Sequence, residues 1–457
     1  MDARALGEAG PPARSSVTAV FRTIFVVGML AAGWTLALQS TFYAACLYLW
    51  IAYFRPESWA WSDIFTTLNL SYFAGAYLVL RTILSGYKFT LDWRSGLLVL
   101  FLVHSLVSSL LGPNPAHSMS YWQDFAKTIV ISYLLTAIIK STAELRIVLM
   151  VITLSLGFEA VKQGYANMLL HPGGKNLNGV PFLGDNNLVA VGMAMLVPII
   201  TALSATSTGW QKRLFQFMSA GVVYRGLSTY SRGGFISFGA IGAMHFWRSP
   251  HKLRTVVAIA LIAALVLPVL PQEFWTRMST ITVSTEEQDE SALGRLHFWE
   301  VAVAMANDRP FVGVGHSGYP RVYNQYDWTG GQFLTNRAVH SAWFGVLAES
   351  GYPGLVLFAA IIFGSFRACR RVRLAAQRGE TNAALGPYAI ALESSLVAFI
   401  VGGSFVSFQY CEMLWHFFAL TIALERVAVA EAVTERIEQP QPVEAPATPA
   451  EADFVWT

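Results

Sequence analysis

The chain has 457 residues, 54% of them hydrophobic and only 13% charged, where soluble domains carry about 25% charged residues. With a mean hydropathy of +0.47, much of its surface must face lipid, and a formal net charge of +3 is too small to argue for nucleic acid. The three cysteines, Cys46, Cys369 and Cys411, lie in or beside apolar runs without metal-ligand spacing, which argues against a disulfide framework or a zinc site.

A bilayer span needs about 20 mainly apolar residues. The first apolar run follows a polar head, 1–16, and shows no clear small-residue cleavage site, so a cleaved signal peptide is not expected. The region 17–55 breaks at Gln39-Ser40 and reads as one full span plus a re-entrant or interfacial piece. Further spans are expected near 66–84, 94–112, 123–140, 144–164, 186–205, 211–228, 233–247, 254–270, 345–368, 384–404 and 407–425. The fold class is therefore an all-α polytopic membrane protein of about 12 transmembrane helices, with one long periplasmic loop containing short helices. Its parts are a cytoplasmic or disordered head, 1–16, and an N-terminal transmembrane part, 17–270. The long loop, 271–338, follows, then a short outer helix with the C-terminal transmembrane helices, 339–430. The tail, 431–457, rich in Pro, Glu and Ala, reads as disordered and cytoplasmic.

Orientation follows from Lys and Arg in short loops. Basic clusters stand at Lys88 to Arg94, Lys140 to Arg146, Lys212-Arg213, Arg248 to Arg254 and Arg367 to Arg373. Placing all five in the cytoplasm makes the intervening spans alternate and leaves the long loop outside. The connections at 113–122 and 165–185 and the turn at Ser231 to Gly234 then share that side.

Polar groups collect there. Arg232 opens a span beside Gly233 and Gly234, where free backbone N–H groups also favour an anion. Lys127 and Lys162 lie within apolar runs. Each is either a snorkelling anchor or a functional intramembrane charge. Asp185, Asn186 and Asn187 open the next span. Within the loop, Ser291 to Met305 reads as a helix capped by Ser291. Leu296, Trp299, Val303 and Phe298 form its apolar stripe, and Arg295 shares a face with Trp299. The helix ends at Asn307 to Pro310, and turns begin at Gly313 and Gly315. Tyr319, Tyr323, Tyr326 and Trp328 serve either packing or sugar contact. His340 begins an apolar helix interrupted at Gly351, Pro353 and Gly354. An imidazole is suited to general base work near neutral pH, although a lone histidine is more often structural. Glu349, nine residues on, falls half a turn out of phase and should not orient His340.

Ser231-Arg232-Gly233-Gly234, then Arg295, Trp299, Arg309-Pro310, Gly313 and Gly315, then His340-Ser341 and Glu349 to Gly354, resemble the O-antigen ligase and polymerase superfamily. The segments around Pro56 to Trp61, Ser155 to Lys162 and Gly184 to Asn187 resemble putative O-glycosylation ligases found with exosortase systems. Many relatives carry Asn where Ser341 stands. The resemblance implies glycan transfer in a bacterial inner membrane, from an undecaprenyl-pyrophosphate-linked donor to lipid A core, a glycan or a protein on the periplasmic side. It implies no cofactor and no metal. Under it, Arg232 and Arg295 stabilise the pyrophosphate charge and His340 takes the acceptor proton, with inversion. Lys127, Lys162, Asp185, Asn187, Trp299 and Tyr319 are the expected substrate contacts, with membrane lipids around them. A polymerase of the same superfamily needs much the same site. A transporter or lipid flippase predicts charges at the midplane and internal repeats, neither of which is evident.

Overall fold

The computed structural model describes residues 16–438 except 61–64, 66, 88–91, 250, 267–274 and 276–289. The acidic residues Glu286, Glu287 and Asp289 of the long loop, the end of the expected span at 254–270 and the tail beyond 438 lie outside the described residues. The described chain is all-helical, with no strand among the described residues. The helices are α1 (Ser16–Gln39), α2 (Thr41–Phe54), α3 (Pro56–Trp59), α4 (Leu70–Leu84), α5 (Trp93–Leu111), α6 (Pro115–Ile138), α7 (Thr142–Leu170) and α8 (Asn186–Ala205). They continue with α9 (Gly209–Leu227), α10 (Arg232–Arg248), α11 (Lys252–Val266), α12 (Glu290–Asp308), α13 (Tyr319–Tyr326), α14 (Ala342–Gln377), α15 (Leu385–Gly403) and α16 (Glu412–Glu438).

Among the described residues, five helices are long and apolar enough to cross a membrane: Val20–Gln39, Trp93–Leu111, Asn186–Ala205, Ala342–Gln377 and Leu385–Gly403. The chain is thus a multi-pass helical membrane protein by length and composition. Other expected spans are shorter or more charged. The 29-residue α7, for example, carries Glu144, Arg146, Glu159 and Lys162. The last helix runs to Glu438, past the expected start of the tail at 431.

Local sequence sets many of the helix starts. Asp92, Ser141, Asp185, Ser231 and Ser341 each accept from a backbone N–H of the helix that follows, which satisfies donors a helix N-terminus otherwise leaves open. Close packing decides positions further in. A side chain at Gly234 would collide with Ala190, so α10 lies directly on α8.

Ion pairs tie three of the five basic clusters together, and polar and cation–π contacts bring the other two to the same end of the bundle. Arg94 bonds Glu425 at 2.5 Å, and Arg371 reaches the same carboxylate at 3.1 Å. Arg248 and Arg373 share Glu393. Arg146 bonds Gln211 at 3.1 Å, and Lys140 stands over the Tyr87 ring at 4.1 Å. Helix direction therefore alternates from this end.

The N-terminus departs from the expected arrangement. Gln39 accepts from Arg81, and Thr41 bonds Ser85 at 2.9 Å, both toward the basic end. Arg22 lies over the Trp59 ring at 5.0 Å, at the far end. Helices α1 and α2 thus form an antiparallel hairpin, and α1 starts at the end opposite the basic clusters. At 14 residues, α2 spans only about 21 Å, and its burial against the bundle lets so short a helix run as a hairpin arm.

The long loop has a core of its own. Phe298, Val301, Ala302 and Met305 of α12 pack on Tyr319, Val322 and Tyr323 of α13, with Val339 and Ala348. The buried face is turned by one residue, about 100°, from the expected stripe. Leu296 is 47% exposed. Ser291 lies within α12 rather than at its cap.

Candidate active site on the loop-bearing end

Backbone pairing fastens the loop to α14. The amides of Val314 and Gly315 donate to the carbonyls of Ala348 and Glu349 at 2.9 and 3.1 Å, and Tyr352 N–H donates to Pro310 at 2.9 Å. Two glycines make this approach possible. Gly313 (φ 62°) faces the Ala348 to Ser350 backbone, and Gly351 (φ 66°) faces that of Pro310 and Phe311. Gly351 also breaks α14, so a short helix headed by Ser341 precedes the main one, as its sequence predicts.

His340 sits just before that short helix, half-buried and in the left-handed region at φ 49°. Burial holds its imidazole below the ordinary histidine range, and the charges of Arg295 and Arg337 push the same way while Asp185 opposes them. These four residues come from α12, the end of the loop, the residue before the α14 cap and the cap of α8. Trp299, one turn after Arg295, stacks on Phe344 at 5.2 Å and approaches Phe405 at 6.4 Å. Phe405 in turn packs against Gly233, which brings the start of α10, with Arg232, to the same neighbourhood. Arg337 lies over the Phe298 ring at 5.3 Å.

The other expected contacts fall elsewhere. Lys127 is paired with Asp124 at 2.8 Å and lies over Tyr72. Lys162 is paired with Glu159 at 2.7 Å and lines a separate polar cleft with Trp59 and Asn178. Each lysine thus has its carboxylate three residues earlier, and no described contact joins either to His340. Tyr319 is fully buried, and its hydroxyl donates to the Phe298 carbonyl at 2.7 Å, so it packs the loop core rather than meeting a substrate. The Asn187 amide donates to Asp185 at 2.7 Å within the α8 cap.

The remaining loop histidines are committed. His297 is buried and paired with Asp327 at 2.8 Å. His316 packs 3.7 Å from the Tyr410 ring, and burial drives its pKa down to about 3. Glu349 accepts from the Tyr319 amide at 3.3 Å, in keeping with its expected independence of His340. Among the described residues no three His, Cys, Asp or Glu side chains converge as a metal site requires.

Residues 217–359 match the family model described as O-antigen ligase. Over that stretch the chain is similar to the O-antigen ligase family. The matched stretch contains Arg232, Arg295, Trp299, Arg337 and His340, whereas Lys127, Lys162, Asp185 and Asn187 fall in residues 21–204, which match a family of unknown function (DUF5935). No curated protein matches the chain. Arg337, in the same matched stretch and close enough to act on His340, was not among the expected site residues. Its signal was a cation three residues ahead of the candidate base.

Proposed function

We propose that the chain is a membrane glycosyltransferase. It moves a glycan from an undecaprenyl-pyrophosphate carrier to an acceptor hydroxyl on the periplasmic face of a bacterial inner membrane. The observation that carries this reading is the grouping of His340 with Arg295 and Arg337 inside the matched stretch. A base beside two cations suits a reaction in which one group takes a proton while negative charge builds on a leaving group.

The step is a single displacement. The acceptor oxygen attacks the anomeric carbon and gives its proton to His340. The bond from that carbon to the pyrophosphate oxygen breaks, and the electron pair leaves with the carrier, inverting the centre. A lowered pKa keeps the imidazole neutral and competent as a base. Arg295 and Arg337, with Arg232 at a helix N-terminus, stabilise the departing pyrophosphate, for which the planar guanidinium fork is suited. Fixed arginines supply the charge a metal would otherwise bring, so the transfer is metal-independent.

The test is transfer by purified protein from an undecaprenyl-pyrophosphate glycan, with lipid A core, a glycan and a protein offered separately. Product on one acceptor class, lost in His340→Ala and insensitive to EDTA, supports the reading. Elongation of the lipid-linked glycan itself would make the protein a polymerase, and no transfer to any acceptor would overturn the proposal.

A further inference from the structure

A pocket separate from the His340 group is connected to it through chain neighbours of its lining residues. It has a volume of ≈ 260 Å³ and is lined by Arg55, Phe182, Ser407, Tyr410 and Glu412, among others. Leu183 and Leu188 also line it, and they bracket Asp185, the carboxylate that acts on His340. Between the lining residues Ser407 and Tyr410, Gln409 packs against Gly345, five residues beyond His340. The pocket joins the part of unknown function to the connection between α15 and α16, outside the matched ligase segment.

Its chemistry differs from that of the arginine group. Arg55, in the left-handed region between α2 and α3, stands between Glu57 and Glu412, each at 3.8 Å. Charge-assisted hydrogen bonds are about 2.7–2.9 Å long, so neither carboxylate satisfies the guanidinium. Arg55 Nε, Ser407 Oγ and Glu412 Oε2 are buried and have no hydrogen-bond partner among the described residues. Buried polar atoms are almost always paired, and exceptions mark a missing water or ligand. One cation against two carboxylates repels a phosphate. A donor, an acceptor and a hydroxyl instead match a polyol, whose hydroxyls both donate and accept.

We propose that this pocket binds one uncharged sugar unit, held by Arg55, Ser407 and Glu412, of the glycan that reacts at His340. The proposal rests on the transferase reading for the sugar's role and on the pocket's own chemistry for the binding. The sugar belongs either to the lipid-linked donor or to the acceptor.

The experiment uses the full chain in lipid nanodiscs. Methyl glycosides of hexoses and N-acetylhexosamines are titrated by saturation-transfer NMR, with inorganic pyrophosphate as the probe of the arginine group. Ser407→Phe fills the pocket, Glu412→Gln removes a charged acceptor, and Ser407→Ala is the mild variant should either of the others fail to fold. Glycoside binding is expected to weaken about tenfold in Glu412→Gln, as the loss of a charged hydrogen bond implies, with pyrophosphate binding retained. Equal glycoside binding by wild type and variants, or pyrophosphate binding lost in their place, would overturn the proposal. In a transfer assay, a raised KM for the acceptor assigns the sugar to the acceptor, and a raised KM for the donor assigns it to the donor. An unchanged KM for both counts against the subsite. Glycoside binding without transfer would leave the subsite standing and remove the transferase reading.

Discussion

His297 Nε2 lies 2.8 Å from Asp327 Oδ1, with both side chains almost wholly buried. Burial alone would raise the Asp327 carboxyl, but hydrogen bonds from Thr329, His297 and Gly331 outweigh it and hold the carboxyl down to about 2. The pair ties α12, two residues after Arg295, to the turn that follows α13. Asp327→Ala should therefore loosen the whole loop, with a cost of about 1–3 kcal/mol for the partners left unpaired in a buried site. Limited proteolysis should show cleavage within 310–338 at protease levels that spare wild type. An unchanged cleavage pattern would mean that the apolar core alone holds the loop.

For the candidate base, the direction of the pKa shift fixes the pH profile. An imidazole held below its ordinary value of about 6.5 stays neutral at pH values where an exposed histidine is half protonated. The acidic limb of transfer should therefore lie at lower pH than an exposed histidine would give. Arg337→Ala removes one of the charges that push the pKa down, so its acidic limb should move upward. A limb at the same pH in both proteins would disconnect Arg337 from His340.

Arg295→Ala should lower kcat strongly while the protein still inserts and folds. Loss of one preorganised charge donor costs about 2.7–4 kcal/mol in a transition state. Arg295→Lys should restore only part, because a point charge cannot form the paired contact. The same comparison applies to Arg232. Rates near wild type in both alanine variants would remove the arginines from the pyrophosphate.

Gly351→Ala tests the seam between loop and helix. A non-glycine residue held at φ 66° costs about 1–3 kcal/mol, and the added carbon would also press on the Pro310 and Phe311 backbone. Lower thermal stability together with reduced transfer is expected. Wild-type values for both would show that the seam can open without consequence.

Topology is open to cysteine labelling in a background without native cysteines. A probe at Arg321 should react with an impermeant reagent from outside, and one at Arg371 should not. A probe at Ser16 should behave as Arg321 does, because α1 starts at the loop-bearing end. Labelling at Arg371 but not Arg321 would invert the orientation and the site assignment with it.

Much of this was legible in the sequence, for local reasons. Ser231, Ser341 and Asp185 stand directly before apolar runs, where capping residues belong. Gly351 and Pro353 mark the break in α14. Ser341 also explains itself: its hydroxyl accepts from the Phe344 amide at 3.5 Å, a role asparagine fills as well. Non-local features were hidden. The face of α12 depends on α13, which periodicity alone does not place. Arg337 sits in a turn-rich stretch with no period to read. Asp124 and Glu159 were visible three residues before Lys127 and Lys162, but the lysines were weighed as isolated cations. The hairpin of α1 and α2 was obscured because α2 is too short to count as a span by itself.

The pairing at the basic end has a consequence for the order of synthesis. Arg94 precedes its partner Glu425, and Arg248 precedes Glu393 by 145 residues. A growing chain therefore exposes these cations first and meets their carboxylates only with the final helices. Until then the arginines remain uncompensated at the membrane surface, where positive charge directs how each helix pair is inserted. The same residues act first as an address for the nascent polypeptide and afterwards as the clasp that closes the finished bundle.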